Sequence, residues 1–350
     1  MTRAAFVIPG DLGLPTGGYT YDRRVLALLG GLGVEATHVA LPGTYPAPGT
    51  ADLETTARLV ASTRPSDILL IDGLAYGAMP ADLVRGFDRR IVALVHHPLC
   101  LEAGITPQRA AELKQLETDA LALASHVIAT SATTARTLAQ DFGVAATRIT
   151  VAEPGTDPAP RAKGSGGKPL RLLAVGSIVP RKAYDLLVDA LVPLKALPWT
   201  LDIAGATDRS PHTVRTLASQ IEAAGFSDRI NVLGPVDDAR LQQLYDGADV
   251  FVLASHYEGY GMVLTEALAR GLAIVCTTGG AAAETLPDDA ALKVEAGSVR
   301  ALAWTIGRAL EDETGLRQRV SDAAWAAATS LKRWDDTART IAAVLKEIAK

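Results

Sequence analysis

Short apolar runs alternate with longer stretches of helical periodicity along the 350 residues of the chain. In the first half, the apolar runs predict strands at residues 5–8, 36–41, 68–71, 91–95, 127–129 and 149–152. The stretches between them predict helices at residues 21–29, 51–62, 107–124 and 132–142. Alternation of strands and helices is typical of a doubly wound parallel sheet, so we predict an α/β domain here.

A segment rich in Gly, Pro and Ser, residues 157–169, interrupts the alternation and is the predicted linker. The alternation then resumes with strands predicted at residues 170–175, 200–204, 230–233, 250–253, 273–276 and 291–294. Helices are predicted at residues 183–196, 213–224, 239–245, 262–269, 298–310, 314–330 and 334–348. We therefore predict two α/β domains in tandem with a helical tail, and we expect the ligand site in a cleft between them.

The composition excludes several classes of protein. With 48% hydrophobic and 21% charged residues, the chain is too apolar for a disordered protein. Its two cysteines, Cys100 and Cys276, are too few for a disulfide scaffold, and we interpret them as buried or half-buried thiols in a reducing cytoplasm. The apolar start of the chain is too short for a signal peptide, and no apolar run reaches the ~18–20 residues of a membrane span. The expected location is cytoplasmic.

Charge is distributed unevenly. The formal net charge is −5, which argues against a nucleic-acid partner. Residues 1–160 contain 12 basic and 16 acidic side chains, a net charge of −4, whereas the remaining residues have a net charge of −1. The one basic cluster of the first half, Arg85, Arg89 and Arg90, encloses Asp88. Because docking on anionic lipid usually requires a basic patch, we expect no membrane association and a small soluble ligand for this half.

Several common motifs are missing. Gly167-Lys168 is not a phosphate loop, because Ala162 stands where the first glycine should be and Pro169 replaces the Ser or Thr. The chain has no G-x-G-x-x-G after its first strand, no G-x-S-x-G, no H-E-x-x-H and no Asp-x-Asp. No metal site is predicted.

The most informative segment, residues 254–271, begins where a predicted strand ends. Gly259 and Gly261 leave the backbone uncovered just before a helix predicted to start near Met262. The free N–H groups and the positive dipole end of such a helix suit an anionic ligand group.

Two glutamates of this segment are spaced to reach different parts of one extended ligand. Glu258 precedes the predicted helix, and Glu266 lies about one turn inside it. Carboxylates accept paired hydrogen bonds from the hydroxyls of a ribose or a hexose. The alternative is a glycine-rich turn with a solvated glutamate on each side.

The surrounding sequence favours the first interpretation. Glu258 and Glu266 have the spacing of the E-x7-E motif of the retaining glycosyltransferases of family 4, and this segment resembles that motif. Further stretches resemble the same family in the same order, at residues 15–19, 127–131, 148–151, 154–157, 175–182, 246–252 and 334–335. The resemblance covers nearly the whole chain.

The resemblance implies the GT-B fold of two facing Rossmann-like domains. The N-terminal, acceptor-side domain would comprise residues 1–160, and the C-terminal domain, which binds the nucleotide sugar, residues 161–333. Residues 334–350 would form a helix that crosses back to the first domain. Domain closure over the donor is expected, with the linker as one hinge.

Roles in the second domain are also implied by the resemblance. Lys182 would neutralise the leaving diphosphate, Glu266 would hold the ribose, and Glu258 would hold hydroxyls of the donor sugar. Backbone N–H groups would contact the sugar and phosphate over Gly259, Tyr260, Gly261, Met262 and Val263. The alternative for Lys182 is a solvated lysine at the start of a helix.

Roles in the first domain follow from two further matches. Gly17 and Gly18 resemble the glycine pair that lies near the donor diphosphate. His96, which fits better than His97 by its distance from the preceding strand, would touch the donor sugar near the reaction centre. The alternative for His96 is a structural histidine at a strand end.

One position departs from the family pattern. Ser177 stands directly after the glycine that opens the second domain, where the family often has Arg. Serine has no charge, so either Arg181 supplies it or the diphosphate is held less tightly. We count Ser177 and Arg181 among the donor-binding candidates.

The predicted function is a retaining, metal-independent transfer of a hexosyl group to a hydroxyl of a small soluble acceptor. The donor would be UDP-glucose or, next, GDP-mannose, and no cofactor is predicted. Catalysis would rest on positioning and charge stabilisation by Lys182, Glu258 and His96. The alternatives are a non-catalytic nucleotide-sugar-binding protein and another GT-B enzyme such as an epimerase or a phosphorylase.

Overall fold

The computed structural model describes residues 1–350 and divides the chain into two units. The first unit comprises Met1–Gly155 together with Lys332–Lys350, and the second comprises Thr156–Leu331. The last helix is thus part of the first unit.

The first unit contains six strands and seven α-helices. Its strands are β1 (Thr2–Pro9), β2 (Val34–Leu41), β3 (Ile68–Asp72), β4 (Ile91–Val95), β5 (His126–Ala129) and β6 (Ile149–Val151). Its helices are α1 (Gly17–Leu29), α2 (Thr50–Ala61), α3 (Gly73–Tyr76), α4 (Ala81–Gly86), α5 (Pro107–Leu123), α6 (Ala132–Asp141) and, at the end of the chain, α14 (Trp334–Ile348). A 3-10 turn at Leu99–Leu101 follows β4.

All six strands are parallel, in the order β2-β1-β3-β4-β5-β6. Every residue of β3 and β4 is buried, because helices cover both faces of the sheet centre. β3 pairs with β4 so that Asp72 lies opposite Leu94. The carboxyl ends of β3 and β4 therefore lie side by side.

The helix α14 is fixed within the first unit by contacts at its first turn. Trp334 packs edge-on against Tyr21 of α1, with ring centroids 5.8 Å apart, and Thr337 donates a 2.6 Å hydrogen bond to the carbonyl of Glu153. A Cβ at Gly155 would lie 2.2 Å from the backbone nitrogen of Trp334. Only glycine permits this close approach of the two backbones.

The second unit repeats the architecture. Its strands are β7 (Leu170–Val175), β8 (Trp199–Ala204), β9 (Ile230–Gly234), β10 (Val250–Leu253), β11 (Ala273–Thr277) and β12 (Leu292–Val294). Its helices are α7 (Tyr184–Leu191), α8 (Pro211–Ala223), α9 (Asp238–Gly247), α10 (Met262–Leu268), α11 (Ala282–Thr285), α12 (Val299–Glu311) and α13 (Leu316–Ala327).

The second sheet is also parallel throughout, in the order β12-β11-β10-β7-β8-β9. Two apolar clusters cover its faces. One contains Val252 and Val275, and the other contains their strand neighbours Phe251 and Ile274, which point to the opposite face. The strands β10 and β7 are adjacent, so the loops that follow them emerge side by side.

The predicted α/β class and the twelve predicted strands are confirmed, and a helix of the structure lies at each predicted helix position. The predicted helix 183–196 is wrong at both ends. Ala183 has a left-handed φ of 50°, and the helix ends at Leu191, because Pro193 in the following 3-10 turn has no N–H to continue it. The short helices α3, α4 and α11 were not predicted, since four to six residues are too few to show a helical period.

No helix of the structure is both long enough and apolar enough to span a bilayer.

Candidate functional site

The loop between β10 and α10 is held by backbone pairing with the segment after β11. The N–H of Glu258 donates to the carbonyl of Gly279 at 3.1 Å, and the N–H of Ala281 donates to the carbonyl of Glu258 at 2.8 Å. Gly280 has a φ of 64°, and a Cβ there would lie 2.4 Å from that same carbonyl. The sequence pattern did not reveal this glycine pair, which fixes the backbone of Glu258.

The side chain of Glu258 pairs with two cations from the loop after β7. Its Oε1 accepts a hydrogen bond from Lys182 Nζ at 2.7 Å, and its Oε2 lies 3.4 Å from Arg181 Nη1. The Glu258 side chain is only 6% exposed, against 11% for Lys182 and 15% for Arg181. The structure thus brings these three predicted residues into one nearly buried cluster of net charge +1.

This charge environment decides the ionisation of Glu258. Burial alone would raise the pKa of its carboxyl, but the nearby charges of Lys182 and Arg181 lower the pKa to about 2. Glu258 is therefore a carboxylate at neutral pH and can only accept hydrogen bonds.

The two cations are held at the end of a sharp turn. Lys182 ends a 3-10 turn at Pro180–Lys182, and Ala183 then takes a left-handed conformation before α7 begins. Arg181 is held through its side chain and its backbone. Its Nη1 donates to the carbonyl of Tyr257 at 2.7 Å, and its own carbonyl accepts from His256 N–H at 2.8 Å. The loops after β7 and β10 are thus joined through Arg181.

Ser177, which lies between β7 and this turn, is half-buried. The preceding Gly176 accepts a 2.8 Å hydrogen bond from the hydroxyl of Tyr184, and a Cβ on it would lie 2.9 Å from Cε of Lys182. The aliphatic stem of Lys182 therefore lies across Gly176, next to the serine.

Glu266 lies one turn inside α10, as its spacing predicted, but its partners differ from those of Glu258. Its Oε2 accepts a 2.9 Å hydrogen bond from the hydroxyl of Tyr245, whose ring faces the guanidinium of Arg270 at 4.4 Å. Burial raises the pKa of Glu266, and Tyr245 and Arg270 oppose that rise. No pattern in the sequence pointed to Tyr245 as this partner.

The start of α10 carries the remaining predicted donor-binding positions of this unit. Gly261 precedes the helix with a φ of 90° and no side-chain cap, and the carbonyl of Tyr260 accepts a hydrogen bond from Thr285 of α11 at 2.5 Å. Gly259 is buried, and Met262 and Val263 are half-buried in the first turn. The donor-binding roles of these positions remain predictions.

The predicted residues of the first unit lie at the carboxyl end of its sheet. Gly17 and Gly18 form the first turn of α1, which is capped by the Thr16 side chain. A Cβ on Gly18 would lie 3.5 Å from Cδ2 of His96. The glycine pair therefore begins a helix rather than forming a loop, and Gly18 makes room for the imidazole.

His96 lies directly after β4 and faces two carboxylates that sequence analysis missed. Its Nε2 lies 3.1 Å from Oδ2 of Asp72, the last residue of β3, and 3.4 Å from Oδ1 of Asp22 in α1. The neighbouring His97 pairs instead with Glu102, at 3.2 Å. A signal was available for Asp72, because it is a charged residue at the end of an otherwise apolar run.

The carboxyl pKa shift around His96 has the opposite direction to that of Glu258. Burial alone would lower the pKa of His96, but the nearby carboxylates of Asp22 and Asp72 raise it to about 10. Burial and the charge of Asp72 raise the pKa of Asp22 to about 7. The same three side chains each offer one ligand atom within 4.8 Å of the others, and they are the group in the structure that could hold a divalent cation.

Two families match the chain, one for each half. The family described as "Glycosyl transferases group 1" matches residues 156–326, and the family described as "Glycosyl transferase 4-like domain" matches residues 11–155.

Curated relatives match part of their own length. D-inositol 3-phosphate glycosyltransferase of Xylanimonas cellulosilytica is 30% identical over 67% of this chain and 60% of its own length. Mannosylfructose-phosphate synthase of Agrobacterium fabrum is 30% identical over 44% of this chain and 38% of its own length. The chain thus spans 60% or less of the length of these two relatives.

Two solved structures match over nearly their whole length. Sucrose-phosphate synthase from Thermosynechococcus elongatus has a TM-score of 0.81 at 18% identity, with 99% of both chains covered. Anabaena HepE in complex with UDP-glucose has a TM-score of 0.75 at 20% identity, with 98% of this chain and 99% of that chain covered. At these identities the likeness shows the fold.

Proposed function

We propose that this chain, which belongs to the GT-B glycosyltransferases of the family 4 type, transfers a hexosyl group with retention from a nucleotide diphosphate sugar to a hydroxyl of a small soluble acceptor. The observation that carries the proposal is the cluster of Lys182, Arg181 and Glu258, with Glu266 one turn inside the adjacent helix. It provides two cations for a diphosphate and two carboxylates for hydroxyls of the same ligand.

The cations would act on the leaving group. As the bond between the anomeric carbon and the phosphate oxygen breaks, negative charge builds on the diphosphate. Lys182 and Arg181 would stabilise it from a site where water is largely excluded. Arg181 would then supply the charge that Ser177 lacks.

The carboxylates would hold the donor. Glu258 is ionised and retains lone pairs beside its two ion pairs, so it can accept hydroxyls of the sugar. Glu266 would accept the ribose hydroxyls, and its contact with Tyr245 would orient it. Backbone N–H groups at the start of α10 would contact the sugar and phosphate.

The mechanism needs no base from the protein. In a same-face displacement, the leaving phosphate accepts the proton of the incoming hydroxyl while the anomeric carbon has oxocarbenium character. The protein then contributes positioning and charge. His96 would touch the donor sugar near this centre.

The donor and the acceptor are proposed by chemistry and by likeness. A nucleotide diphosphate hexose, with UDP-glucose first and GDP-mannose next, is supported by the UDP-glucose complex of the similar Anabaena HepE. The relatives named for inositol phosphate and mannosylfructose phosphate support a small polyol or sugar acceptor. The free thiols Cys100 and Cys276 are compatible with a reducing compartment such as the cytoplasm.

A thermal-shift panel of nucleotide sugars tests donor binding. A donor at about 100 times its Kd should stabilise the folded protein by about 2.7 kcal/mol, whereas the free sugar should give no shift. Absence of any shift from UDP-glucose, GDP-mannose and the other common donors would contradict the proposal.

Product analysis tests the reaction. Nucleotide release should require an acceptor, such as inositol 3-phosphate or inositol, and NMR should show that the product keeps the anomeric configuration of the donor. The rate should be the same in EDTA as in Mg²⁺ or Mn²⁺. Nucleotide release without an acceptor would favour an epimerase, and binding without release would favour a non-catalytic protein. Co-sedimentation with anionic vesicles at low salt would count against a soluble acceptor.

A further inference from the structure

Three side chains of the first unit converge at the carboxyl end of its sheet. Asp72 ends β3, His96 follows β4, and Asp22 comes from α1. Nε2 of His96 lies 3.1 Å from Oδ2 of Asp72 and 3.4 Å from Oδ1 of Asp22, and the three ligand atoms all lie within 4.8 Å of one another. Two ligands of a tetrahedral Zn²⁺ ion, each ~2.1 Å from the metal, are ~3.4 Å apart, so the spacing is close to that of a metal site.

The cluster contains buried polar atoms that the rest of the chain leaves unpaired. The Asp22 side chain has no exposure, and neither of its carboxylate oxygens has a hydrogen-bond partner. Nε2 of His96 is also buried and also lacks one. Buried polar atoms are normally paired, because an unpaired one loses its hydration without compensation. Three such atoms directed at one point therefore indicate a ligand that the protein chain does not itself supply.

Neighbouring groups orient the carboxylate and the imidazole without occupying these atoms. Oδ1 of Asp72 accepts from Leu74 N–H at 2.8 Å, which leaves Oδ2 for the cluster. Tyr21 meets the imidazole edge-on with ring centroids 5.2 Å apart, and its hydroxyl donates to the carbonyl of Ala152 at 2.8 Å. Contacts of this kind around the ligands are typical of metal sites, where they fix the orientation of each ligand.

The charge of the cluster also suits a divalent cation. Two carboxylates carry two negative charges, and a protonated imidazole would offset only one of them. The basic side chains of α1 make other contacts. Arg23 donates to the carbonyls of Leu12 and Leu14. The guanidinium of Arg24 lies 5.8 Å from the centre of the Trp334 ring. Because uncompensated charge is very costly when buried, one divalent cation that neutralises both carboxylates would stabilise this arrangement.

The ligand set indicates which cation fits. An imidazole nitrogen favours Zn²⁺ and similar transition metals, whereas Mg²⁺ and Ca²⁺ prefer shells of six or more oxygens. Both oxygens of Asp22 are available, so with Oδ2 of Asp72 and Nε2 of His96 the cluster offers four ligand atoms. A zinc site with four protein ligand atoms is closed and structural, since no position remains for water or substrate.

We propose that Asp22, Asp72 and His96 bind one Zn²⁺ ion, which ties α1 to the carboxyl ends of β3 and β4. The ion stabilises the packing of these three elements and does not act on the diphosphate. Without it, a protonated His96 remains as a counter-charge, so the metal-free protein should stay folded. The site is separate from the cation cluster of the second unit, and the inference does not depend on the proposed function.

Metal analysis and thermal unfolding test the site without donor or acceptor. The full chain, produced without a histidine tag in medium that contains Zn²⁺, should carry about one zinc ion per molecule by mass spectrometry of the metals. After the metal is removed with dipicolinate, added Zn²⁺ should raise the melting temperature by at least about 3 °C, because it binds the folded state. Co²⁺ in its place should give the visible absorption bands of a tetrahedral ion.

Asp22→Asn and Asp72→Asn each remove one ligand charge and keep the shape of the side chain. Both should weaken Zn²⁺ binding by at least about 100-fold and abolish the Co²⁺ bands, since even the loss of a group that only supports a ligand costs about 10–100-fold. The asparagine at position 72 can still accept from Leu74 N–H, and an unchanged circular dichroism spectrum would show that each variant is folded.

The matched control is His97→Gln. His97 is the adjacent histidine and pairs with Glu102 at 3.2 Å, so these two side chains are the nearest alternative for adventitious zinc. This variant should keep the metal content, the rise in melting temperature and the Co²⁺ spectrum of the wild type.

Two results would overturn the proposal. One is a wild-type protein that carries no zinc and gains no stability from added Zn²⁺. The other is equal Zn²⁺ affinity in the wild type, Asp22→Asn and Asp72→Asn, which would place the ion elsewhere. If zinc binds as expected and no transfer is found with any donor, the proposed function fails while the zinc site stands.

Discussion

The two charge clusters of the molecule are inverses of each other. In the second unit one carboxylate, Glu258, lies between two cations, and in the first unit one imidazole, His96, lies between two carboxylates. Glu258 in the second unit is nearly buried, and so are Asp22 and Asp72 in the first unit. The pKa of Glu258 falls to about 2, whereas the pKa of Asp22 rises to about 7. With similar burial, the pKa values of the two carboxyl groups therefore shift in opposite directions, and the charges around each group decide the direction.

From this difference we propose different chemical roles for the two clusters. The cation-rich cluster keeps its carboxylate ionised and has one positive charge in excess, which suits a diphosphate. The carboxylate-rich cluster has two acidic groups for one basic group, so it does not suit a diphosphate in the same way. Five substitutions probe the comparison, at Lys182, Glu258, Asp22, Glu117 and Tyr245.

The largest effect is expected for Lys182→Ala. It removes the ammonium group that lies closest to Glu258. We propose that this charge stabilises the leaving diphosphate. Loss of one preorganised charged donor usually costs about 10²–10³-fold in rate, so kcat should fall by that factor. Lys195→Ala, at an exposed lysine of the same unit, should stay within about twofold of the wild type. Wild-type turnover by Lys182→Ala would break the proposed division of roles.

The fold was predictable because its signals are local. Runs such as residues 68–71 and 91–95 are wholly apolar, and each became a buried central strand. The end of α7 was not predicted correctly, because the pattern continued in apolar residues past Pro193. The short α3 begins where Asp72 caps Leu74 N–H, which is side-chain geometry that periodicity does not show.

The site was predictable only in part. Lys182, Arg181 and Glu258 were identified by motif, but their mutual pairing joins positions 76 and 77 residues apart. Asp22 was missed because a charged residue within Tyr21–Arg24 of an amphipathic helix looks like a solvated one, and only the sheet order brings it to His96. Residues that are brought together by the order of the strands have no characteristic spacing in the sequence, so a motif search does not find them.

Stability separates the two clusters directly. Glu258→Gln leaves Lys182 and Arg181 close together without an anion, so the free energy of unfolding should fall by about 3 kcal/mol. Asp22→Asn leaves His96 paired with Asp72, so it should cost less than about 1 kcal/mol. Urea or thermal unfolding of each variant against the wild type measures both values.

A ligand check strengthens that result. Inorganic pyrophosphate should raise the melting temperature of Glu258→Gln more than that of the wild type, because the carboxylate no longer competes for the two cations. Equal losses of stability in Glu258→Gln and Asp22→Asn, with equal pyrophosphate shifts, would show that the clusters do not differ in this way.

Glu117 shows how burial changes the pKa of a carboxyl group that has no cation as a neighbour. This α5 residue is 1% exposed and accepts Leu99 N–H at 2.9 Å, and burial raises its pKa to about 8 despite that hydrogen bond. Because the folded protein binds this proton more tightly than the unfolded chain, the stabilising contribution is full below about pH 4.5 and is lost as the pH rises to about 8.

Glu117→Gln should therefore gain on the wild type as the pH rises. Glutamine keeps an oxygen for Leu99 N–H but cannot ionise. The difference in unfolding free energy between variant and wild type should shift by about 3 kcal/mol in favour of the variant between pH 5 and pH 8. Glu112→Gln, at an exposed position of the same helix, should show no such shift. A pH-independent difference would mean that Glu117 is already ionised in the folded protein.

The smallest effect is expected for Tyr245→Phe, which tests a carboxylate held by a hydroxyl instead of a cation. Tyr245 donates to Glu266 at 2.9 Å, while its ring stacks on Phe251, so the substitution removes the hydrogen bond and keeps the packing. One such bond contributes about 1 kcal/mol, so the donor KM should rise about fivefold while kcat stays within twofold. Tyr76→Phe, which removes a hydroxyl bonded to Ala120, should leave the donor KM unchanged.

The pH dependence of that KM decides whether Glu266 acts as a carboxylate. Burial raises its pKa and the Tyr245 hydroxyl opposes the rise, so Tyr245→Phe should raise the pKa further. If ribose is bound by the ionised form, the increase in KM should be larger at pH 5.5 than at pH 8, because more of the variant is protonated at the lower pH. An increase that is the same at both values would assign to Tyr245 a purely geometric role. Ionisation controlled by neighbouring charges would then be a property of Glu258 and not of Glu266.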